Sequence, residues 1–447
     1  MKDVTVSFAT TGVMQVCNIL TGMLAARLLL PDGRGELAAI ILWPGLLAEM
    51  GNLGLHDALL YRAATRSASP RDLFAAVVAM IGTLSVVLIA IGFVVIPIVF
   101  QHHTAEVQTI ALYFMCAYLP IYFSSLFTTG MFQGHLQMTT WNMLRALVPF
   151  TYLAGIVLLL AADVRGVAEF AIAYIAAQAV SAGAGFFMVA RRNWIALKPD
   201  MKVIRGLVVY GIKVHVGDMV YSLRQRIDQA LIALLLPAAD LGIYTVALTI
   251  ANGPLILVFT LANLAFPKIS QQPTTAGKLE VFGRYLRFSL TVTSGMVVTL
   301  WILMPWVLPL LFGEPFSPAV PIANLLLLGT VPLAAKLMFQ QALKAWDRSL
   351  VVGRAELVGL VVAAGLIAVL MPSLGLIGVA LALVFSQLSA AAVMGFSLHS
   401  ELRLPVLKLF VPIAEDWQLT RAWVAAMWRL TCTSVTTIAM RLTFRNG

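Results

Sequence analysis

Charge is scarce in this sequence. Only 11% of its 447 residues are Asp, Glu, Lys or Arg, against about 25% in a soluble domain. Hydrophobic residues make up 60%. That excludes a water-soluble globule and, at about 20 apolar residues per helical crossing, predicts a polytopic membrane protein of about a dozen spans. Cysteine is nearly absent too. Cys17, Cys116 and Cys432 are far apart and two of them lie in apolar runs, so neither a disulfide framework nor a metal cage is expected, and they read as small buried hydrophobes. No basic domain exists either. The 30 Lys and Arg leave a net charge of +10, but they are scattered between apolar runs, which argues against a nucleic-acid partner. A nucleophile constellation, a metal motif and a phosphate-cradling Gly loop are also missing, so no catalytic residue, metal or cofactor is expected. Only Met1-Lys2-Asp3 precede a segment that contains Gln15 and Asn18. It is too long and too polar for a cleaved signal and is expected to stay as a membrane helix.

Apolar runs and their breaks place spans near 6–30, 37–60, 73–100, 107–130, 145–162 and 167–190, then near 207–236, 241–266, 288–312, 319–343, 355–371 and 375–399. The expected fold is all-α, with about 12 transmembrane helices in two six-helix lobes around a central cavity. The lobes are 1–200 and 201–400, separated by the basic hinge 191–206. Lys and Arg alternate between the short loops. Arg62, Arg66, Arg71, Arg145, Arg191, Arg192, Lys268, Lys344 and Arg348 fall on one side, whereas the other carries only Arg34 and Arg165 among several carboxylates. Cationic loops resist translocation, so the first side and both termini are expected to be cytoplasmic. The string LLLP closes an odd-numbered span at 28–31 and again at 234–237, each time with Gly35 or Gly242 shortly after. It reads either as a repeat of six spans or as the common use of proline to stop a helix. Residues 401–447 carry Trp417, Trp423 and Trp428 among arginines. They suit either a helix lying on the anionic leaflet or an irregular basic tail.

A charged side chain at mid-membrane costs about 2.5–3.5 kcal/mol on insertion scales, so it needs a partner, water or a substrate. The seventh span gathers Lys213, His215, Asp218, Tyr221, Arg224, Gln225, Arg226, Asp228 and Gln229 within an arc of about 220° at a helical turn of about 100° per residue. Weaker stripes run through Thr11, Gln15, Asn18 and Gly22 on the first span and Glu49, Asn52 and His56 on the second. Thr245, Thr249, Asn252, Thr260 and Asn263 form another on the eighth, and Lys336 and Gln340 lie in the tenth. These stripes imply a polar cavity lined by spans 1, 2, 7 and 8. Each also has a packing reading. Thr and Asn bond between membrane helices without any ligand, Arg27 and Lys336 can snorkel, and Arg224–Asp228 suits an internal i, i+4 ion pair. Of the charges singled out at depth, the five bases Arg27, Lys213, Arg224, Arg226 and Lys336 stand against the three carboxylates Glu49, Asp218 and Asp228, which fits a mildly cationic cavity for a phosphate-bearing sugar better than one for a metal ion or an organic cation.

LAARLLLPDGRGELA at 24–38 and RQRIDQALIALLLPAADLGIYTVA at 224–247 resemble bacterial polysaccharide flippases of the O-antigen and exopolysaccharide type. These belong to the multidrug/oligosaccharidyl-lipid/polysaccharide exporter superfamily. The first segment is similar to the family's Arg-Leu-Leu-x-Pro then Gly pattern, the second to its Asp-x-x-Leu-Ile then Gly-x-Tyr pattern. The resemblance, over roughly 1–400, implies two lobes opening alternately to each side of a bacterial inner membrane. It implies as cargo an oligosaccharide on undecaprenyl pyrophosphate, for cell-surface polysaccharides such as lipopolysaccharide, and as partners a polysaccharide polymerase and chain-length machinery. The tail after 400 departs from the hydrophobic helix pair of related peptidoglycan-precursor flippases, which argues against lipid II.

On this reading Arg224 and Arg226 hold pyrophosphate, and Gln15, Asn18, Asn52, Asn252 and Asn263, with Lys336, meet the headgroup. Glu49, His56 and Asp228 are candidates for a coupling proton or cation. A cation-coupled multidrug exporter is the first alternative, but it would want carboxylates in excess. A membrane glycan polymerase or ligase is the second, but it would want a large catalytic loop, whereas the loop holding His102 and His103 is only a few residues long.

Overall fold

The computed structural model describes residues 2–101, 103–400 and 409–410, with the side chains of 2–9, 216–218 and 221 outside that description. The remainder of the tail expected over 401–447, and the side chains of Asp218 and Tyr221 on the polar helix, therefore lie outside the described residues. Everything regular in the described residues is helical. The order is α1 (Lys2–Gly51), α2 (Leu55–Ala64), α3 (Pro70–Val99), α4 (Ala105–Gly134), α5 (Met138–Ala161), α6 (Val167–Arg191) and α7 (Met201–Leu235). Then come α8 (Ala238–Ala251), α9 (Leu255–Ser270), α10 (Thr275–Phe312), a 3-10 turn (Glu314–Phe316), α11 (Ala319–Ala345) and α12 (Ser349–Ser400).

Eight of these helices are long and apolar enough to cross a membrane, and α8 with α9 makes a ninth crossing if counted as one. Two of the eight are double. At about 1.5 Å per residue, the 50 residues of α1 and the 52 of α12 far exceed the roughly 30 Å of hydrocarbon. Each is interrupted by a non-helical residue, Leu30 in α1 and Gly375 in α12. The 35-residue α7 is also long enough, and its charges keep it off a hydropathy scale. Twelve crossings result among the described residues, in the order the apolar runs predict. The chain is a multi-pass membrane protein.

Helix ends follow local chemistry. Leu30 (ψ 178°) and Leu236 (ψ 161°) each precede the proline of an LLLP string, and a proline ring disfavours helical ψ in the residue before it. The loops at 66, 136, 163, 193 and 347 each reverse on a residue with φ between 51° and 59°, the usual left-handed end of a helix. Three details depart from the hydropathy reading. The second crossing is broken at 52–54 and continues as α2, the eighth is broken at 252–254, and α10 starts at Thr275 rather than near 288. Hydropathy marks where lipid begins. It is blind to a helix that runs on into water.

Contacts divide the chain into two compact units. Unit 1 holds Met1–Ala251, Met304–Leu325 and Ala363–Ala382; unit 2 holds Asn252–Leu303, Leu326–Val362 and Leu383–Gly447. In unit 1, α1 packs along α8, α5 and α4, and α7 lies against α1, α2 and α3. The glycines following the two LLLP strings meet there. A Cβ on Gly35 would overlap the Ala238 carbonyl, and one on Gly242 the Pro31 carbonyl. Both obstacles are backbone and cannot swing aside. Gly242→Ala is therefore expected to destabilise the purified protein by about 3 kcal/mol, the upper range of overpacking costs. Gly45→Ala, where an added Cβ meets nothing within 4 Å, should leave the thermal unfolding midpoint in place.

Arg27 lies at the same end of unit 1. Its guanidinium donates to the carbonyls of Leu310 and Leu311, the latter at 2.8 Å. These belong to the last turn of α10, where carbonyls have no helical partner and a cation is favoured. Arg27 thus caps a helix, in keeping with its structural reading. In unit 2, Val258, Ala262, Phe282, Met338, Phe339 and Met394 pack into one buried cluster, which Leu409 joins.

Candidate functional site

The polar stripes expected on spans 1, 2, 7 and 8 fall mainly in unit 1. That unit holds Gln15, Asn18, Glu49, Asn52, His56, Arg224, Arg226 and Asp228, whereas Asn252, Asn263 and Lys336 belong to unit 2. The stripes of the first and eighth spans meet where Gly22 faces Thr249. Thr245, Thr249 and Thr260 return their hydroxyls to carbonyls of their own helix at 2.7–2.9 Å, so these bonds are local, whereas the packing reading has them join two helices. Asn18 and Asn263 are exposed, and Gln15 and Asn252 half-buried.

On α7 the polar groups separate by depth. Arg224 and Asp228 are 7% and 3% exposed, while Gln225 and Arg226 are exposed. Asp228 accepts the phenol proton of the fully buried Tyr244 at Oδ2, which ties α7 to α8. Its Oδ1, also buried, has no hydrogen-bond partner among the described residues. Arg226 lies within electrostatic range of Tyr118 and Tyr122 on α4 and Tyr174 on α6.

The second crossing supplies the other half of the site. α1 ends at Gly51, Asn52-Leu53-Gly54 form a turn with Leu55 N donating to the Asn52 carbonyl at 2.9 Å, and α2 resumes at Leu55. Gly54 stands at φ 66° with its Cα against the Gly211 carbonyl of α7, a place only glycine fits. Asn52 Oδ1 and His56 Nδ1 are buried there without partners among the described residues. The eighth crossing breaks alike, with α8 ending at Ala251 and Leu255 N donating to the Asn252 carbonyl at 3.1 Å. A helix broken at membrane depth frees backbone groups, tolerated only where protein or a wet cavity receives them. The sequence signals were Asn-Leu-Gly-Leu and Asn-Gly-Pro-Leu, turn tetrads set within apolar runs.

Lys336 is 4% exposed, and its Nζ lies 3.1 Å from Glu356 Oε1. Sequence reading did not single out Glu356, because it opens an apolar run and resembles a loop residue until α12 is seen to begin at Ser349. Among the described residues, no cluster of His, Cys, Asp or Glu is arranged to hold a metal ion.

The described residues thus form a multi-pass helical membrane protein with two broken crossings. The comparisons with known proteins place it further. Residues 1–272 match the family described as polysaccharide biosynthesis protein, and the chain belongs to that family. No curated protein matches it. Among solved structures, the lipid II flippase MurJ in an inward closed conformation is similar over 96% of this chain and 98% of its own, with 13% identity and a TM-score of 0.77. An inward-facing multidrug resistance MATE transporter of the MOP superfamily is similar over 89% and 95%, with 15% identity and a TM-score of 0.70. A MOP superfamily transporter from Pyrococcus furiosus, whose reversed pocket polarity suggests a different function, gives 91% and 95%, 14% identity and a TM-score of 0.57. At such identities the likeness is one of fold, and the fold is that of flippases and transporters.

Proposed function

We propose that this protein is a flippase that carries an oligosaccharide on undecaprenyl pyrophosphate from the cytoplasmic to the periplasmic leaflet of a bacterial inner membrane. A sugar headgroup cannot enter about 30 Å of hydrocarbon, because its hydroxyls would lose their water partners. A polar protein interior replaces those partners while the prenyl chain stays in lipid. Two lobes, 1–200 and 201–400, open alternately, with both termini cytoplasmic. Arg226, with Arg224 behind it, takes the pyrophosphate, and Gln15, Asn18, Asn52, Asn252 and Asn263 take sugar hydroxyls. Asp228, Glu49 and His56 serve as coupling groups. Lys336 contributes only if it leaves Glu356. The protein is not an enzyme on this reading, and it supplies a polymerase and chain-length machinery.

The supporting observation is Arg226, an exposed cation on a membrane-length helix within reach of tyrosines on two others, in a chain of the polysaccharide biosynthesis family. Deleting the protein from its native cell should trap lipid-linked oligosaccharide in the cytoplasmic leaflet, measured with a membrane-impermeant sugar-modifying reagent. Unchanged leaflet distribution together with new sensitivity to organic cations would point to the multidrug-exporter alternative.

A further inference from the structure

Four of the chain's ten tyrosines form a continuous row inside unit 1. Tyr152 on α5 meets Tyr174 on α6 edge-on, with ring centroids 5.2 Å apart. Tyr174 stacks on Tyr118 of α4 at 6.2 Å, and Tyr118 on Tyr122 at 5.2 Å. With these spacings the row as a whole extends over at most about 17 Å, roughly half of the 30 Å of hydrocarbon. Charges flank the row from one end to the other. Arg34 lies within electrostatic range of Tyr152, Arg226 of Tyr174, Tyr118 and Tyr122, and Glu49 of Tyr118 and Tyr122.

Packing alone does not ask for tyrosine at these places. A phenol placed at membrane depth needs a hydrogen-bond partner that phenylalanine would not, and the neighbouring stacked ring in the same cluster is indeed Phe114. Gln178 donates to the Tyr174 hydroxyl at 3.3 Å. Tyr122, Tyr152 and Tyr174 are half-buried, and only Tyr118 is fully covered. A ligand that matches such a row has flat apolar faces and many hydroxyls. A pyranose chain has both: its C–H face lies on an aromatic ring while its hydroxyls bond the phenols.

We infer that Tyr152, Tyr174, Tyr118 and Tyr122 form a track along which the oligosaccharide passes, each ring taking over a sugar from the last. This rests on the flippase reading above and names the part of the site that handles glycan rather than pyrophosphate. Because successive rings offer similar contacts, no single sugar is held so tightly that it stalls. The track thus favours longer headgroups over short ones.

The test uses full-length protein in liposomes. The probes are a synthetic undecaprenyl pyrophosphate bearing a fluorophore-tagged tetrasaccharide and the same lipid bearing one tagged N-acetylglucosamine, followed with a membrane-impermeant quencher. For Tyr118→Leu/Tyr174→Leu the tetrasaccharide rate should fall at least about tenfold, the effect of losing ring contacts worth one decade, with the monosaccharide rate falling less. Tyr118→Phe/Tyr174→Phe, which keeps the ring faces and removes the hydroxyls, should give a tetrasaccharide rate between those of the wild type and the leucine variant. Tyr122→Leu, at the half-buried end of the row, repeats the test where the double variant does not fold. Leucine variants that unfold at the wild-type temperature and move the tetrasaccharide at the wild-type rate, or slow both probes equally, overturn the track. Wild-type protein that moves neither probe overturns the flippase reading, and the track with it.

Discussion

Arg226→Ala should leave a folded protein that no longer supports normal polysaccharide export, with transport down by roughly 10- to 150-fold. That range corresponds to losing a charge-assisted hydrogen bond of about 1.5–3 kcal/mol. The residue is exposed, so little packing goes with it. Arg224→Ala should behave differently. That side chain is 7% exposed, and truncating a buried, partnered cation costs about 3–5 kcal/mol. The expected result is therefore less folded protein as well as less transport. Comparing export per folded molecule, from membrane protein levels and surface polymer in the same cells, separates the two effects. If Arg224→Ala/Arg226→Ala leaves export intact at normal protein levels, neither arginine holds pyrophosphate.

The second large effect concerns Lys336 and Glu356, whose charges meet at 3.1 Å with side chains 5% and 11% exposed. Both sit in unit 2. Lys336→Met alone, or Glu356→Leu alone, strands a buried charge and should lower stability by about 3–5 kcal/mol. Lys336→Met/Glu356→Leu together removes both charges from an apolar setting and should recover most of that loss, since a buried pair seldom outperforms hydrophobic packing of equal volume. Thermal unfolding in one detergent checks the cycle. Recovery of stability without recovery of transport would give the pair a role in carrying substrate. Recovery of both would make it structural.

Several features are legible in the sequence alone. Twelve apolar runs separated by alternating basic and acidic loops produced the crossings, because membrane thickness sets helix length and charge resists translocation. The LLLP strings marked true helix ends, since proline acts on the residue just before it. Arg224, Arg226 and Asp228 stood out because charge is costly at that depth. Other features were decided in three dimensions. Helical spacing put both arginines on one polar arc, but only packing could bury Arg224 and leave Arg226 open. Asp228 had a candidate partner four residues away, yet its carboxylate took Tyr244 from the next helix.

Composition and periodicity, then, settled that this chain is a bundle of membrane helices, how many there are and which ones carry charge. These are one-dimensional properties, written by the contrast between lipid and water along the chain. The tertiary structure decided which polar groups are used up on one another and which stay accessible. It paired Lys336 with Glu356, closed Gly35 against Gly242, and lined four tyrosines from three helices into one row. Contacts between residues distant in sequence depend on helix rotation and tilt, which packing sets and local pattern does not encode.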